Sequence, residues 1–170
     1  GFPESFVDAL EANATLRAEV RAAIEAGLPT YAECGGLMYL ARSISWQGRA
    51  RQMVGVIPGD ITMHEKPVGR GYVILASTGS HPWRSPGKQA TLLRAHEFHY
   101  SSLDHLASDT QFAYDVKRGH GIDGLHDGIV YRNLLASYTH LRSTGDCDWP
   151  SRFVDFARRC KIAGCFKENQ

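Results

Sequence analysis

One cysteine of the chain stands in a sequence context that suits a nucleophile. In PTYAECGGLMYL, residues 29–40, Cys34 follows a short extended stretch and precedes two glycines. A thiolate attacks carbonyl carbon atoms when a nearby base or a helix N-terminus stabilises it. Glycines after the nucleophile let backbone N–H groups approach a developing oxyanion. The pattern predicts a catalytic Cys34 on a strand-to-helix turn, although a small buried residue at a strand end would give the same local sequence.

A catalytic cysteine needs a histidine, and the chain contains eight histidines. His140 is favoured because it follows LLASYT, a short apolar run, and so lies near the carboxyl end of a predicted strand. In parallel α/β sheets, sites assemble at that edge of the sheet. Cys34 occupies the same kind of position. We therefore predict that Cys34 and His140 meet in space as a Cys–His pair.

The hydrophobic pattern predicts the elements that would position this pair. Helical spacing indicates helices over residues 13–29, 35–44 and 150–160, and residues 29–34 between the first two are a short strand. Apolar runs bounded by glycine, proline or polar residues predict further strands at 52–61, 71–77, 90–98, 111–116, 127–133 and 134–141. Residues 77–89 and 119–128 are loops by composition. A single α/β domain over residues 1–170 is the simplest interpretation.

Composition excludes several classes of function. The chain is 43% hydrophobic and 22% charged, with a net charge of +1 at pH 7, and it has no basic stripe. No apolar run approaches the ~20 residues of a membrane span, and the N-terminus lacks the pattern of a signal peptide. We expect a cytoplasmic protein without nucleic-acid or membrane partners. Because no CxxC pair occurs, free thiols are expected at Cys34, Cys147, Cys160 and Cys165.

The segment HEFHYS, residues 96–101, invites a metal interpretation, but His99 lies three residues after His96, not the four of HExxH. On a strand, Glu97 and His99 share one face while His96 and Phe98 share the other. This alternation separates the two histidines, so we predict no metal site. Polar residues that are satisfied at a strand end remain an alternative interpretation. Elsewhere, Asp115 and Asp127 show no pattern typical of a catalytic carboxylate pair.

Five segments together resemble a known family. YAECGGLMYL, MVGVIPGD, GRGYV, RAHEFHYS and DGIVYRNLLASYTHL occur in this order. They are similar to the C-terminal glutamine amidotransferase domain of the cobyrinic acid a,c-diamide synthase family, over about residues 1–160. The resemblance implies a class I, triad-type amidotransferase. It also implies a flavodoxin-like α/β fold, with a mostly parallel sheet flanked by helices.

The resemblance further implies how the site would work. Cys34 would attack the side-chain amide of glutamine, ammonia would leave, and water would release glutamate from the thioester. His140 would act first as general base and then as the acid for the leaving ammonia. The oxyanion would be held by the backbone N–H groups of Gly35 and Gly1. The residues Glu97, His99 and Tyr100 would line the site or an interdomain face.

One departure from the family leaves the third triad member open. Class I amidotransferases mostly carry glutamate two residues after the catalytic histidine, and this chain has Arg142 there. A Cys–His dyad is therefore one interpretation, with Glu33 and Glu97 as candidates for orienting the histidine. A non-catalytic domain that regulates a synthetase is a second interpretation, and Arg142 is its main support. An unrelated cysteine hydrolase is a third.

A second departure concerns length. The family's domain starts some tens of residues earlier, so we expect this chain to lack the first strands and to associate as a homodimer through an open sheet edge. No GxxxxGK[ST] phosphate loop occurs. We expect no cofactor in this domain, and ATP and Mg in a separate synthetase domain. Glutamine would be the substrate here, and cobyrinic acid would be the acceptor there, with sirohaem or nickel-sirohydrochlorin as alternative tetrapyrroles.

Overall fold

The computed structural model of the chain describes residues 1–83, 92–143 and 148–166. After a 3₁₀ turn at Pro3–Ser5, the helices are α1 (Val7–Ala12), α2 (Ala14–Glu25), α3 (Gly35–Leu40) and α4 (Trp149–Ile162). The strands are β1 (Thr30–Glu33), β2 (Ser43–Trp46), β3 (Arg49–Gln52), β4 (Asp60–Met63), β5 (Gly69–Ser77), β6 (Leu92–His99), β7 (Ser101–Asp104), β8 (Gln111–Arg118), β9 (His126–Tyr131), β10 (Leu134–Ser137) and β11 (His140–Leu141). Cys147 lies outside the described residues, as does part of the predicted loop over 77–89.

The strands form two sheets. The larger has seven strands in the order β1-β10-β9-β8-β5-β6-β11, and the smaller has four in the order β3-β2-β4-β7. In the larger sheet the described pairs are antiparallel except for β1 with β10. In the smaller sheet, β2 and β4 are the parallel pair. The predicted α/β class holds, but the expectation of a mostly parallel sheet is wrong.

Short connections explain the antiparallel pairing. A parallel pair needs a crossover of a dozen or more residues, whereas two antiparallel strands can be joined by a tight turn. Only Arg132 and Asn133 separate β9 from β10, and Arg132 has a φ of 51°. By contrast, about a hundred residues of chain separate β1 from its parallel partner β10. Connection length, which local patterns do not reveal, therefore decided how the strands pair.

The first predicted helix and strand are confirmed as α2 and β1. The side chain of Asn13 caps α2 by accepting the backbone N–H of Leu16 at 3.2 Å. Gly27 ends the helix with a φ of 92°, a conformation that suits glycine. The side-chain amide of Asn133 donates to the Gly27 carbonyl at 2.6 Å and so ties the helix end to the β9–β10 turn. This junction fixes where β1 begins.

The predicted strand over residues 52–61 is wrong for most of its length. Residues 53–59 form a loop whose apolar side chains are buried, including Ile57 at 0% exposure. Its backbone is satisfied by the end of α3, because Val54 and Ile57 donate to the carbonyls of Tyr39 and Leu40 at 3.0 Å each. A contiguous apolar run does not distinguish a buried loop from a buried strand.

A cluster of aromatic rings packs beneath β1. The ring of Tyr31 lies 4.6 Å from that of Trp149 and 5.8 Å from that of Trp83, measured between centroids. Phe153 on α4 contacts the same group. Such clusters contribute both buried apolar area and edge-to-face attraction. Helix α4 is thereby fixed against the strand that leads to Cys34.

Free thiols are present at Cys34, Cys160 and Cys165. Within the described ranges, no helix is both long and apolar enough to cross a membrane. Strands β1 and β11 are the edges of the larger sheet. The predicted association of two copies through an edge stays a prediction.

Candidate active site

The parallel pair β1 and β10 brings the two predicted reacting residues to one edge of the sheet. Glu33, the last residue of β1, is in register with Ser137, the last residue of β10. Cys34 follows directly, and its backbone N–H donates to the Ser137 carbonyl at 2.7 Å. His140 begins β11 three residues after Ser137. The expectation that sites assemble at the carboxyl ends of parallel strands therefore applies to this one pair.

Cys34 lies on a sharp turn between β1 and α3. Its φ of 49° and ψ of −105° are unusual for a residue with a side chain, and such conformations cost about 1–3 kcal/mol. Its carbonyl accepts the N–H of Met38 at 3.0 Å, which is the first turn of α3. The residue is partly exposed, and its thiol is directed at the Phe98 carbonyl oxygen, 3.9 Å from the sulfur.

Glycine is required directly after the cysteine. A Cβ added to Gly35 would lie 2.6 Å from the carbonyl oxygen of Gly1, closer than packed atoms can approach. Gly36 is less restricted, since its added Cβ would meet Ala32 at 3.3 Å. The structure thus brings together Gly35 and Gly1, the two residues predicted to form the oxyanion site.

His140 lies between the thiol and a carboxylate. Its Nδ1 lies 3.3 Å from Oε2 of Glu33, while the thiol of Cys34 is directed at the Phe98 carbonyl oxygen, 3.9 Å from its sulfur. Interaction with the nearby Cys34 sulfur foremost, and with Glu33 next, raises the pKa of His140 to about 9 despite its partial burial. The arrangement favours the protonated imidazole.

Glu33 is the carboxylate that approaches His140. It also accepts the backbone N–H of Leu141 at 2.9 Å and the hydroxyl of Tyr31. Burial opposes ionisation of Glu33, but these hydrogen bonds, the one from His140 foremost, outweigh burial and hold the pKa of its carboxyl below the usual value. Of the two sequence candidates for orienting the histidine, Glu33 contacts His140, whereas Glu97 lies beside His99. Arg142 is exposed, directly after β11.

A second histidine lies against His140. His96 on β6 is in register with His140, and the two rings stack with centroids 4.9 Å apart and planes 17° apart. Burial first, then the positive charges of His140 and Arg142, lower the pKa of His96. The sequence predicts the face of β6 on which His96 lies, opposite Glu97 and His99. It predicts no role for His96, because no local pattern in the sequence indicates that β6 pairs with β11.

Glu97 and His99 lie beneath the site and do not line it. Both are 3% exposed, on the buried face of β6. Glu97 accepts the backbone N–H groups of His120 and Gly121 at 2.7 and 2.9 Å, and His99 stacks on Tyr138 with centroids 3.9 Å apart. The predicted faces of the strand are correct. A residue this buried does not contact substrate, so the expectation that these two line the site is corrected, whereas Tyr100 is partly exposed.

In the part of the chain that the structure describes, no group of three or more His, Cys, Asp or Glu side chains is arranged to hold a metal ion. The reactive side chains that the site does bring together are a thiol, an imidazole and a carboxylate.

Solved structures that share this fold include a glutamine amidotransferase. A crystal structure of a glutamine amidotransferase matches with a TM-score of 0.58 and 18% identity, over 84% of this chain and 68% of that one. The structure of PurLQS from Thermotoga maritima matches with a TM-score of 0.62 and 13% identity, over 90% and 71% of the two chains. At these identities the likeness shows the fold alone. It confirms the predicted class, an α/β fold of the class I glutamine amidotransferase type.

The family follows from the sequence. Residues 1–146 match the CobB/CobQ-like glutamine amidotransferase domain, and the chain belongs to this family. Cobyrinate a,c-diamide synthase of Magnetococcus marinus is 42% identical over 158 residues, which are 93% of this chain and 33% of the relative. The Archaeoglobus fulgidus enzyme of the same name is 38% identical over 95% of this chain and 34% of the relative. The chain spans about a third of the length of these relatives.

Proposed function

We propose that this chain hydrolyses glutamine through a Cys34 thioester and supplies ammonia for the amidation of the a and c carboxylates of cobyrinic acid. The observation that carries the proposal is the approach of His140 Nδ1 to the Glu33 carboxylate at 3.3 Å, beside the Cys34 thiol whose nearness raises the pKa of the imidazole. A thiol nucleophile, a base and a residue that orients the base are the parts that nucleophilic acyl transfer needs.

The reaction begins with the Cys34 sulfur, which attacks the side-chain amide carbon of glutamine. An imidazolium next to a thiol stabilises the thiolate, and His140 has its pKa raised to about 9. The oxyanion that forms is held by the backbone nitrogens of Gly35 and Gly1. His140 donates its proton to the amide nitrogen, ammonia leaves, and a glutamyl thioester remains on Cys34.

The second half of the reaction releases glutamate. His140, now neutral, takes a proton from water as the water oxygen attacks the thioester carbon. The C–S bond breaks and the thiolate re-forms beside the imidazolium. Throughout, Glu33 keeps the Nδ1 side of the ring hydrogen-bonded, so that the Nε2 side faces the reacting atoms.

Glu33 answers the objection raised by Arg142. The non-catalytic interpretation rested on the missing glutamate two residues after His140. A carboxylate from β1 makes the contact that a glutamate at position 142 would otherwise supply. The site thus has a carboxylate beside His140, although this carboxylate belongs to the residue before the nucleophile.

The acceptor and its activation are proposed from the relatives. Proteins named cobyrinate a,c-diamide synthase match this chain along more than nine tenths of its length. Amidation of a carboxylate requires its activation, for which we propose ATP and Mg bound by a synthetase domain outside these residues. The tetrapyrrole would contact that domain, and ammonia would pass to it from Cys34.

The test is selective labelling of Cys34. The intact protein is treated with a glutamine-mimicking electrophile, and the adduct is located by peptide mass spectrometry, with Cys34→Ser as control. We expect modification of Cys34 that glutamine prevents, while Cys160 and Cys165 remain unlabelled. Equal labelling of the three thiols, without protection by glutamine, would refute the proposal.

A further inference from the structure

The hydrogen-bond ladder between β9 and β10 stops short of the site, and a side chain continues it. The last backbone pair is Ala136 with Ile129. Beyond it, Gly128 has a φ of 72°, a backbone conformation that favours glycine and departs from a regular strand. The backbone N–H groups of Tyr138 and Thr139 would then have no partner in the sheet. Both donate to the carboxylate of Asp127, at 3.0 Å each.

Asp127 is sealed inside the protein. It is 0% exposed, and it accepts a third backbone N–H, from Gly128, at 2.8 Å. Burial raises the pKa of its carboxyl, and the hydrogen bonds it accepts only partly oppose this effect. Buried carboxylates are uncommon without a cation. The three backbone N–H groups that donate to this one indicate that the local fold requires an acceptor at this position.

The turn whose amides bond to Asp127 is connected to both reacting residues. Ser137 accepts the backbone N–H of Cys34 at 2.7 Å, and its hydroxyl donates to the Thr139 carbonyl at 2.9 Å. His140 is the next residue. A change in the path of residues 137–139 would therefore move the imidazole relative to the thiol. Misplacement of reacting groups by about 1 Å can cost on the order of 100-fold in rate.

We propose that Asp127 is a positioning residue for the Cys34–His140 pair, acting through the two amides that precede His140. This inference rests on the proposed function, since it concerns the geometry of the same nucleophile and base. Asp127 touches neither glutamine nor the reacting atoms.

Asp127→Asn is the most selective test. The substitution keeps the shape and the Oδ1 acceptor, which serves Gly128 and Tyr138. It replaces Oδ2 with an NH₂ group that would face the N–H of Thr139, so one hydrogen bond becomes a donor–donor contact. The matched control is Asp115→Asn, the same change at a half-exposed aspartate on β8 paired with Lys117.

Two readouts separate positioning from stability. For the folded fraction of Asp127→Asn we expect glutaminase kcat to fall by roughly 10- to 100-fold with KM within twofold, as befits loss of transition-state geometry. We also expect the alkylation rate of Cys34 by iodoacetamide at pH 6 to fall by about 10-fold, because the thiolate depends on the neighbouring imidazolium. Asp115→Asn should match the wild type in both.

A variant that melts earlier but keeps wild-type kcat and alkylation profile would overturn the proposal. If Asp127→Asn does not fold, Asp127→Ser is used, because its smaller side chain leaves room for water at the amides. Loss of the fold in both variants would make Asp127 a residue of stability alone and would also overturn it. Alkylation requires no glutamine, so absence of glutaminase activity in the wild type would count against the proposed function and leave this test intact.

Discussion

Two carboxylate–histidine pairs of this protein, those in which the carboxylate is a glutamate, lie in opposite surroundings. Glu33 and His140 approach to 3.3 Å with side chains 24% and 30% exposed, and the far side of the imidazole meets a thiol. Glu97 and His99 approach to 3.6 Å with side chains 2% and 1% exposed. There the carboxylate accepts backbone N–H groups, and the imidazole Nδ1 donates to the Ser101 carbonyl.

A glutamate beside a histidine does not by itself mark a catalytic site. Residue types and separations are almost the same in both pairs. What differs is access from solvent and the presence of a nucleophile on the far side of the ring. We therefore expect the open pair to control rate and the sealed pair to control stability.

The largest expected effect is on stability, at the sealed pair. Glu97→Gln should lower the free energy of unfolding by about 3 kcal/mol, because the buried backbone N–H of Gly121 would face an amide NH₂ in place of its carboxylate acceptor. Chemical denaturation measures the change, and Glu65→Gln, at an exposed glutamate, is the control. Activity per folded molecule should stay near wild type. A loss of activity larger than the loss of folded protein would contradict the expectation that the sealed pair controls stability and not rate.

The next effect is on rate, at the open pair. Glu33→Gln should lower glutaminase kcat about 30-fold, or about 2 kcal/mol, because the imidazolium loses its counter-charge. Stability should change by less than at Glu97. Steady-state kinetics with Glu65→Gln as the same control measures the effect. A wild-type kcat in Glu33→Gln would mean that His140 needs no orienting carboxylate.

The smallest effect is the pH dependence of the Glu33–His140 interaction. The pKa of His140 is about 9 when folded and 6.5 in its ordinary state, so its contribution to stability is full below about 6.5 and disappears as the pH rises through 9. Glu33 must also be ionised, and its lowered pKa maintains that down to below 4.5. A double-mutant cycle with Glu33→Gln and His140→Gln, measured as free energies of unfolding, should give a coupling energy of about 1 kcal/mol at pH 6. At pH 10 the coupling energy should be near zero. Coupling that is unchanged at pH 10 would exclude an ion pair as its origin.

The sequence predicted the open site better than the sealed one. Cys34 and His140 could be found because both follow short apolar strands, and the turn glycines after Cys34 are local signals. Glu33 could be named only as a candidate, since its contact with His140 depends on the parallel pairing of β1 with β10. Asp127 carried no signal at all, because its partners are backbone amides that any sequence supplies.

The fold was predictable to a similar extent. Helix caps and alternating faces are local, and so α2 and the two faces of β6 were correct. Strand direction depends on which distant strand lies alongside, and most of the predicted parallel character was wrong for that reason. The small sheet was largely missed because its strands, such as β3 with the sequence RARQ, are short and polar.

The hydroxyl of Tyr31 bonds to Glu33, and its ring lies within 6 Å of two indoles, those of Trp149 and Trp83. The third tryptophan of the chain, Trp46, belongs to the smaller sheet. The chain thereby contains its own optical reporter. We expect emission and near-ultraviolet ellipticity from this pair of indoles to respond to the charge on Glu33. In a Trp46→Phe variant the remaining spectrum should then follow the proposed acylation of Cys34 in real time, without any added dye.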